Sequence, residues 1–182
     1  MITRLATESD VDGILQLQSI NLLTNLSVAE LAEGFVTTPI TDAQVKTAIA
    51  KKGVFVVENN NKIAGYVFAA DWDYFSQWAI FPYMVSRFPQ LQFEGTEITV
   101  HNTFEYGPIC IEKSLRGSNA LPDLFEIMRS HLVDLFPVGI TFINRLNQRS
   151  LAAHTRKLNL QIIDEFEFNN SSYYTLAFLT KI

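Results

Sequence analysis

The chain has little of what would tie it to metals, disulfides, membranes or nucleic acids. Of its 182 residues one is cysteine and three are histidine. A single cysteine forms no intrachain disulfide, and so few scattered ligands make no zinc set, so a metal is not expected. Charged residues amount to only 18%, the net charge is -5 and no Lys/Arg cluster forms a phosphate-neutralising face. Neither a nucleic-acid nor an acidic-membrane partner is expected. No apolar run approaches the ~18 residues of a membrane span. The opening "MITRLATESD" is polar from its third residue, unlike a secretory signal. A soluble cytoplasmic protein is therefore expected. What the chain does have is apolar residues, 48% of the total, at a length that supports one domain with a sizeable core.

Their spacing predicts alternating strands and helices. "MITRL" reads as a strand, and "ATESDVDGILQLQ" as a helix with Thr7, Ser9 or Asp10 as cap. "VAELAEGF" and "TDAQVKTAIAKKG" read as two more helical pieces, the second starting at Thr41 or Asp42 and ending at Gly53. "VFVVE" and "KIAGYVFAA" flank Asn59-Asn60-Asn61 as a hairpin. Residues 71–93 are aromatic-rich, and Pro82 limits them to helix in pieces. "EITVHNTFEYGPICI" is a long β-rich stretch broken at Gly107-Pro108. "PDLFEIMRSHLVDLF" has helical spacing at Leu124, Ile127, Met128, Leu132 and Leu135. "VGITFIN" reads as a buried strand, "QRSLAAHTRKL" as a short helix, and "LQIIDEFEF" and "YYTLAFLT" as closing strands. With no repeat or linker, the expectation is one α/β domain over residues 1–182, its mixed central sheet flanked by helices.

Between "GPICI" and the helix that follows lies Arg116-Gly117-Ser118-Asn119-Ala120-Leu121-Pro122. A helix N-terminus presents unpaired amides and a partial positive charge, so it attracts anions. Small residues let a phosphate approach the backbone, and Arg116 adds a charge at the mouth. The plain alternative is a capped strand-to-helix connector with proline in the first turn.

The order of elements, together with this loop, resembles the GNAT family of acyl-CoA-dependent N-acetyltransferases along essentially the whole chain. The family's Arg/Gln-x-x-Gly-x-Gly/Ala motif corresponds to Arg116, Gly117, Ser118, Asn119, Ala120 and Leu121. Asn119 and Leu121 replace its small positions, and Asn tolerates a left-handed conformation at modest cost. Pro122 offers no N–H. Downstream, Asn147-Gln148-Arg149-Ser150 and "AAHTRKLNL" match the family's Asn-x-x-Ala/Ser and Tyr-x-Lys-x-Gly-Phe segments, with Asn159 at the glycine position. Either His154 or Thr155 takes the tyrosine position.

The resemblance implies acetyl-CoA as acyl donor and direct transfer to the primary amine of a small molecule or peptide. It also implies a splay between central strands, where the backbone of Ile109, Cys110 and Ile111 pairs with pantetheine, helped by a bulge at Gly107-Pro108. Arg116 to Leu121, Asn147 and Ser150 would complete the cofactor site. Glu105, the only acid between Ile98 and Ile111, is the candidate base, its pKa raised if Phe104 and Tyr106 bury it. A solvent-facing strand glutamate is the alternative. His154, Tyr106 or Tyr83 would serve the thiolate. Cys110 among apolar neighbours reads as packing rather than as a nucleophile. Trp72, Tyr74, Phe75, Trp78, Phe81 and Tyr83 read as an acceptor pocket, beside Asp71 and Asp73, or as a satellite core. A non-catalytic acyl-CoA sensor or interaction module is the alternative function, a binder of aromatic ligands a third, and a homodimer is left open.

Overall fold

Local chemistry sets most element boundaries in the computed structural model, which describes residues 1–181. Strand β1 (Ile2–Leu5) leads through a Thr7-capped turn into α1 (Val11–Ser19). A connecting stretch carries the single-turn α2 (Val28–Leu31), started by a Ser27–Glu30 capping box. Thr41 and Gln44 cap α3 (Asp42–Ala50) in the same reciprocal way. β2 (Val54–Asn59) and β3 (Lys62–Ala70) form the expected hairpin. Asn60 and Asn61, at φ 51° and 59°, take the left-handed positions of its two-residue turn. The aromatic segment is helical in two pieces, α4 (Trp72–Phe75) and α5 (Ile80–Arg87), with Pro82 in the first turn of the second. A small ribbon of β4 (Gln92–Phe93) and β5 (Thr96–Glu97) follows.

β6 (Thr103–Ile111) runs unbroken through Gly107–Pro108, correcting the expected interruption. The irregularity falls in its pairing with β3, where the register shifts between Val67 and Ala69. One extra β6 residue is accommodated there, as a bulge does. α6 (Ala120–Leu132) starts two residues before Pro122, which sits in the first turn where its missing N–H is no loss. Leu135 lies beyond the helix end and is exposed. β7 (Val138–Asn144), α7 (Gln148–Lys157), β8 (Gln161–Phe168) and β9 (Ser171–Leu179) complete the chain.

Seven strands form one sheet in the order β1-β2-β3-β6-β7-β9-β8. Every neighbouring pair is antiparallel except β6 and β7. One face is covered by α1, α3, α4 and α5, the other by α6 and α7. The parallel pair is short: only Thr103–Glu105 align with Val138–Ile140. Beyond it β6 continues beside β3 to Ile111 while β7 continues beside β9 to Asn144. The strands therefore part in the middle of the sheet. Gly139 makes room for this arrangement, since a Cβ there would lie 2.1 Å from the Phe178 ring. That ring packs on Phe104, Tyr106 and Phe125.

Candidate functional site

A cleft of about 390 Å³ opens where β6 leaves β7. Ile109, Cys110 and Ile111 form its strand wall, with Arg116, Gly117 and Leu121 on the loop side. Asn147, Ser150 and His154 of α7 stand opposite, and Glu33 to Val36 cross its mouth. The sequence reading thus brings together nine of its residues here. Ser118, Asn119 and Ala120 are not among the lining residues: Ala120 is buried in the core, and Ser118 caps α6 by accepting from the Ala120 N–H. Asn119 is right-handed at φ −78°; the left-handed position of the loop is Gly117, at φ +96°. Asn159 does take the left-handed conformation, at φ 57°.

The loop nevertheless keeps donors. Among the described residues the amides of Gly117, Asn119 and Leu121 have no acceptor. Nothing would crowd a Cβ at Gly117 within 4 Å, so the backbone is approachable there. Arg116, read as the charge at the mouth, is used elsewhere. Its half-buried guanidinium donates to the carbonyls of Ile111 (2.8 Å) and Glu33 and to Asn21 Oδ1 (2.6 Å). Burial lowers its pKa. It is a strut that ties the Glu33 segment to the end of β6, not a free cation. Positive charge in the lining comes instead from Arg149, Arg156 and Lys157, with Lys113 near Glu33 outside it. The sequence reading missed these four. Their signal is the seven- and eight-residue spacing of Arg149, Arg156 and Lys157, which puts all three on one flank of α7. Glu33 already pairs with Arg149 at 2.9 Å and lies 3.8 Å from Lys113.

Asn147 joins the same clamp: its Oδ1 accepts from the Ser150 N–H, capping α7, and its Nδ2 donates to the Phe35 carbonyl at 2.9 Å. Cys110 is buried, and burial pushes its thiol up to about 12, so it is packing and not a nucleophile.

His154, not Thr155, turns inward. It is buried at 3% exposure, while the Thr155 hydroxyl donates back to Leu151 of its own helix. His154 Nδ1 lies 2.8 Å from the Ser150 carbonyl, which requires its proton there; Nε2 then accepts from the Tyr106 hydroxyl at 3.2 Å. Burial lowers the His154 pKa to about 4 and raises that of Tyr106. Tyr106 lines neither the cleft nor the cavity described next, whereas His154 lines both. The pair holds α7 against β6.

Glu105 faces the other side of the sheet. It is 1% exposed, and its Oε2 has no hydrogen-bond partner. Burial raises its pKa well above the carboxylate range. The solvent-facing alternative is therefore wrong. It lines a cavity of about 60 Å³ with Thr37, Thr38, Phe81, Thr141 and Asn144. Phe35, Val36, Ile109, Asn147, Ser150 and His154 line both this cavity and the cleft. The two spaces thus lie on either side of the same residues where the strands part.

The aromatic segment is mostly core. Trp72, Tyr74 and Phe75 are buried, and Trp78 packs on Tyr74, Phe75 and Phe81. Their polar atoms are spent internally: Trp72 Nε1 donates to Thr103 Oγ1, Trp78 Nε1 to the Pro39 carbonyl and the Tyr74 hydroxyl to the Gln44 carbonyl. Tyr83 stacks on Phe166 and Phe168, far from any role beside Glu105 in these cavities. Trp72, Tyr74, Phe75, Trp78 and Tyr83 are thus not acceptor-pocket residues; of the segment only Phe81 reaches the Glu105 cavity. Asp71 caps α4 and pairs with Lys51.

No protein-family model and no curated protein matches the sequence. Solved structures do match its fold. An N-acetyltransferase from Staphylococcus aureus Mu50 is 17% identical, with 99% of this chain and 98% of that one covered at a TM-score of 0.64. Salmonella typhimurium yncA, solved with its cofactor acetyl-CoA, is 16% identical over 99% and 94% at 0.65. A GNAT-family acetyltransferase from Streptococcus pneumoniae is 13% identical over 98% of both chains at 0.63. The chain has the GNAT fold, with its parted central strands. Among the described residues no helix is long and apolar enough to cross a membrane.

Proposed function

We propose that the protein transfers the acetyl group of acetyl-CoA to the primary amine of a small molecule or peptide. The observation that carries this reading is the splay: a cleft beside a loop of unpaired amides and a cavity with a buried, unpartnered carboxyl on the other side of the sheet share six lining residues. The residues fit the group. Gly117 and Leu121 amides would hold its pyrophosphate, and Arg156 and Lys157 would balance its charge. The β7-side edge of Gly107–Ile111, which no strand covers, would pair with pantetheine as an added strand does. Bound acetyl-CoA supplies an activated thioester.

Glu105 is the base. A carboxyl whose pKa is raised by burial stands closer to the pKa of an ammonium, so once ionised it removes the amine proton more effectively than an ordinary carboxylate. Tyr106 and His154 act as a positioning pair that keeps α7, and with it Asn147 and Ser150, against the cleft. The rest of the acceleration comes from holding thioester and amine together.

Titration with acetyl-CoA should raise the melting temperature, because a ligand selective for the folded state stabilises it, and amines should then release free thiol from it. No thermal shift at millimolar acetyl-CoA would overturn this reading. One observation favours the sensor alternative: Glu33 already neutralises part of the cationic rim. Acetyl-CoA binding with no thiol release across amines would establish that alternative.

A further inference from the structure

The acceptor side of the splay is built for one kind of amine. We infer that the acceptor is a primary amine carrying a second hydrogen-bonding group, such as an amino alcohol or an amino amide, rather than a plain alkyl amine. This deepens the acetyltransferase reading and rests on it.

The acceptor end of the splay is the cavity around Glu105. That cavity is lined from both layers of the fold. Phe81 and Phe142 wall one side, and the Phe35–Thr38 segment closes another. That segment does not swing freely in this structure. Asn147 holds the Phe35 carbonyl, Arg116 the Glu33 carbonyl, and Gln18 both the N–H and the carbonyl of Ile40. These ties keep Thr38 in the wall beside Glu105 and Thr141.

The polarity follows from what the cavity leaves unpaired. Glu105 Oε2 is buried and without a partner, which costs free energy unless a ligand donor satisfies it. An amine bound there supplies that donor. Thr38 and Thr141 are buried at 6% and 5% exposure. Neither hydroxyl makes a hydrogen bond to another described residue, although Thr141 Oγ1 comes within 3.6 Å of the position a Cβ would take on Gly107. Asn144 uses its Oδ1 on the Leu146 N–H and lines the cavity beside them. Two unpaired hydroxyls next to an unpaired carboxyl are poor company for an alkyl chain and good company for an acceptor with a hydroxyl or carboxamide two or three bonds from its nitrogen.

The test compares thiol release from acetyl-CoA with ethanolamine, glycinamide and propylamine, after acetyl-CoA binding has been shown by thermal shift. Ethanolamine and glycinamide should exceed propylamine at least tenfold in kcat/KM. Equal or better use of propylamine would overturn the acceptor assignment and leave acetyl transfer standing. Binding of acetyl-CoA with thiol release from no amine would overturn acetyl transfer itself, and the acceptor assignment with it. Thr141→Val keeps the side-chain shape and should raise the KM for ethanolamine at least threefold more than that for propylamine. Thr38→Val provides the same comparison should the first variant fold poorly. Equal losses for both amines in the folded variants would show that the hydroxyls do not read the acceptor.

Discussion

Adjacent residues of β6 place two buried titratable groups on opposite faces of the sheet, and the two are treated in opposite ways. On the α7 face, Tyr106 and His154 satisfy each other, and His154 also donates to the Ser150 carbonyl. On the α5 face, Glu105 is equally buried, yet one of its oxygens has no partner. Satisfied buried polar groups rigidify; unsatisfied ones carry a desolvation cost that folding alone does not repay. The contrast separates structural from chemical work at the splay. The Tyr106–His154 pair is finished without a ligand, and Glu105 is not.

The strongest way to break this comparison is Glu105→Gln. It keeps shape and removes the basic carboxylate, so kcat should fall by about 10²-fold or more with acetyl-CoA affinity unchanged. The same substitution should raise thermal stability near pH 7. Burial raises the folded-state pKa of Glu105, so its contribution is full below its unfolded value of about 4.5 and is lost as pH rises toward the folded one. The glutamine variant escapes that loss. Parent activity, or a melting temperature that drops at pH 7, would place Glu105 with the structural groups.

His154 should show the reverse pH dependence. Its folded pKa of about 4 lies below the ordinary 6.5, so its neutral form favours folding above pH 6.5 and that advantage disappears as pH falls toward 4. A drop of roughly 3 kcal/mol across this window is expected, read by urea unfolding at several pH values and flattened in His154→Gln. Tyr106→Phe leaves His154 Nε2 without its donor and should cost about 1–3 kcal/mol of stability, with kcat changed less than fivefold. A tenfold or larger loss of kcat in a folded Tyr106→Phe protein would restore the tyrosine as an acid.

The smallest effects sharpen the same distinction at the cleft mouth. Arg116→Met removes three donated hydrogen bonds and should cost about 2–3 kcal/mol of stability. Arg156→Ala and Lys157→Ala should leave stability alone and each raise the acetyl-CoA Kd about three- to tenfold. Calorimetric titration at two salt concentrations checks both. Salt should weaken binding less in the lysine and arginine variants than in the parent.

Much of the architecture was legible along the chain. The Asn60-Asn61 turn, the Thr41 cap and the apolar spacing of α6 are local signals, decided within a few residues by backbone conformation and side-chain reach. The element order that resembled the GNAT family is of the same kind, and so was the choice of Glu105 as the one acid on its strand. Roles that depend on distant partners were not legible. Arg116 looks like a free cation until Asn21 and Glu33, 95 and 83 residues away in sequence, take its donors. The aromatic run from Trp72 to Trp78 has the same composition whether it lines a pocket or fills a core. Only the packing of α4 and α5 on the sheet, with Thr103, Pro39 and Gln44 accepting their polar atoms, makes it core. His154 and Tyr106 become a matched pair, and Glu105 an unmatched one, for the same reason: alternation along β6 sends neighbours to opposite faces, and the partners awaiting them come from elements far away in the chain. Sequence by itself determined where strands, turns and helices begin and which residues carry ionisable groups. Tertiary structure alone decided which of those groups found partners, because hydrogen bonding and desolvation act over a few ångströms of space and not over residues of chain.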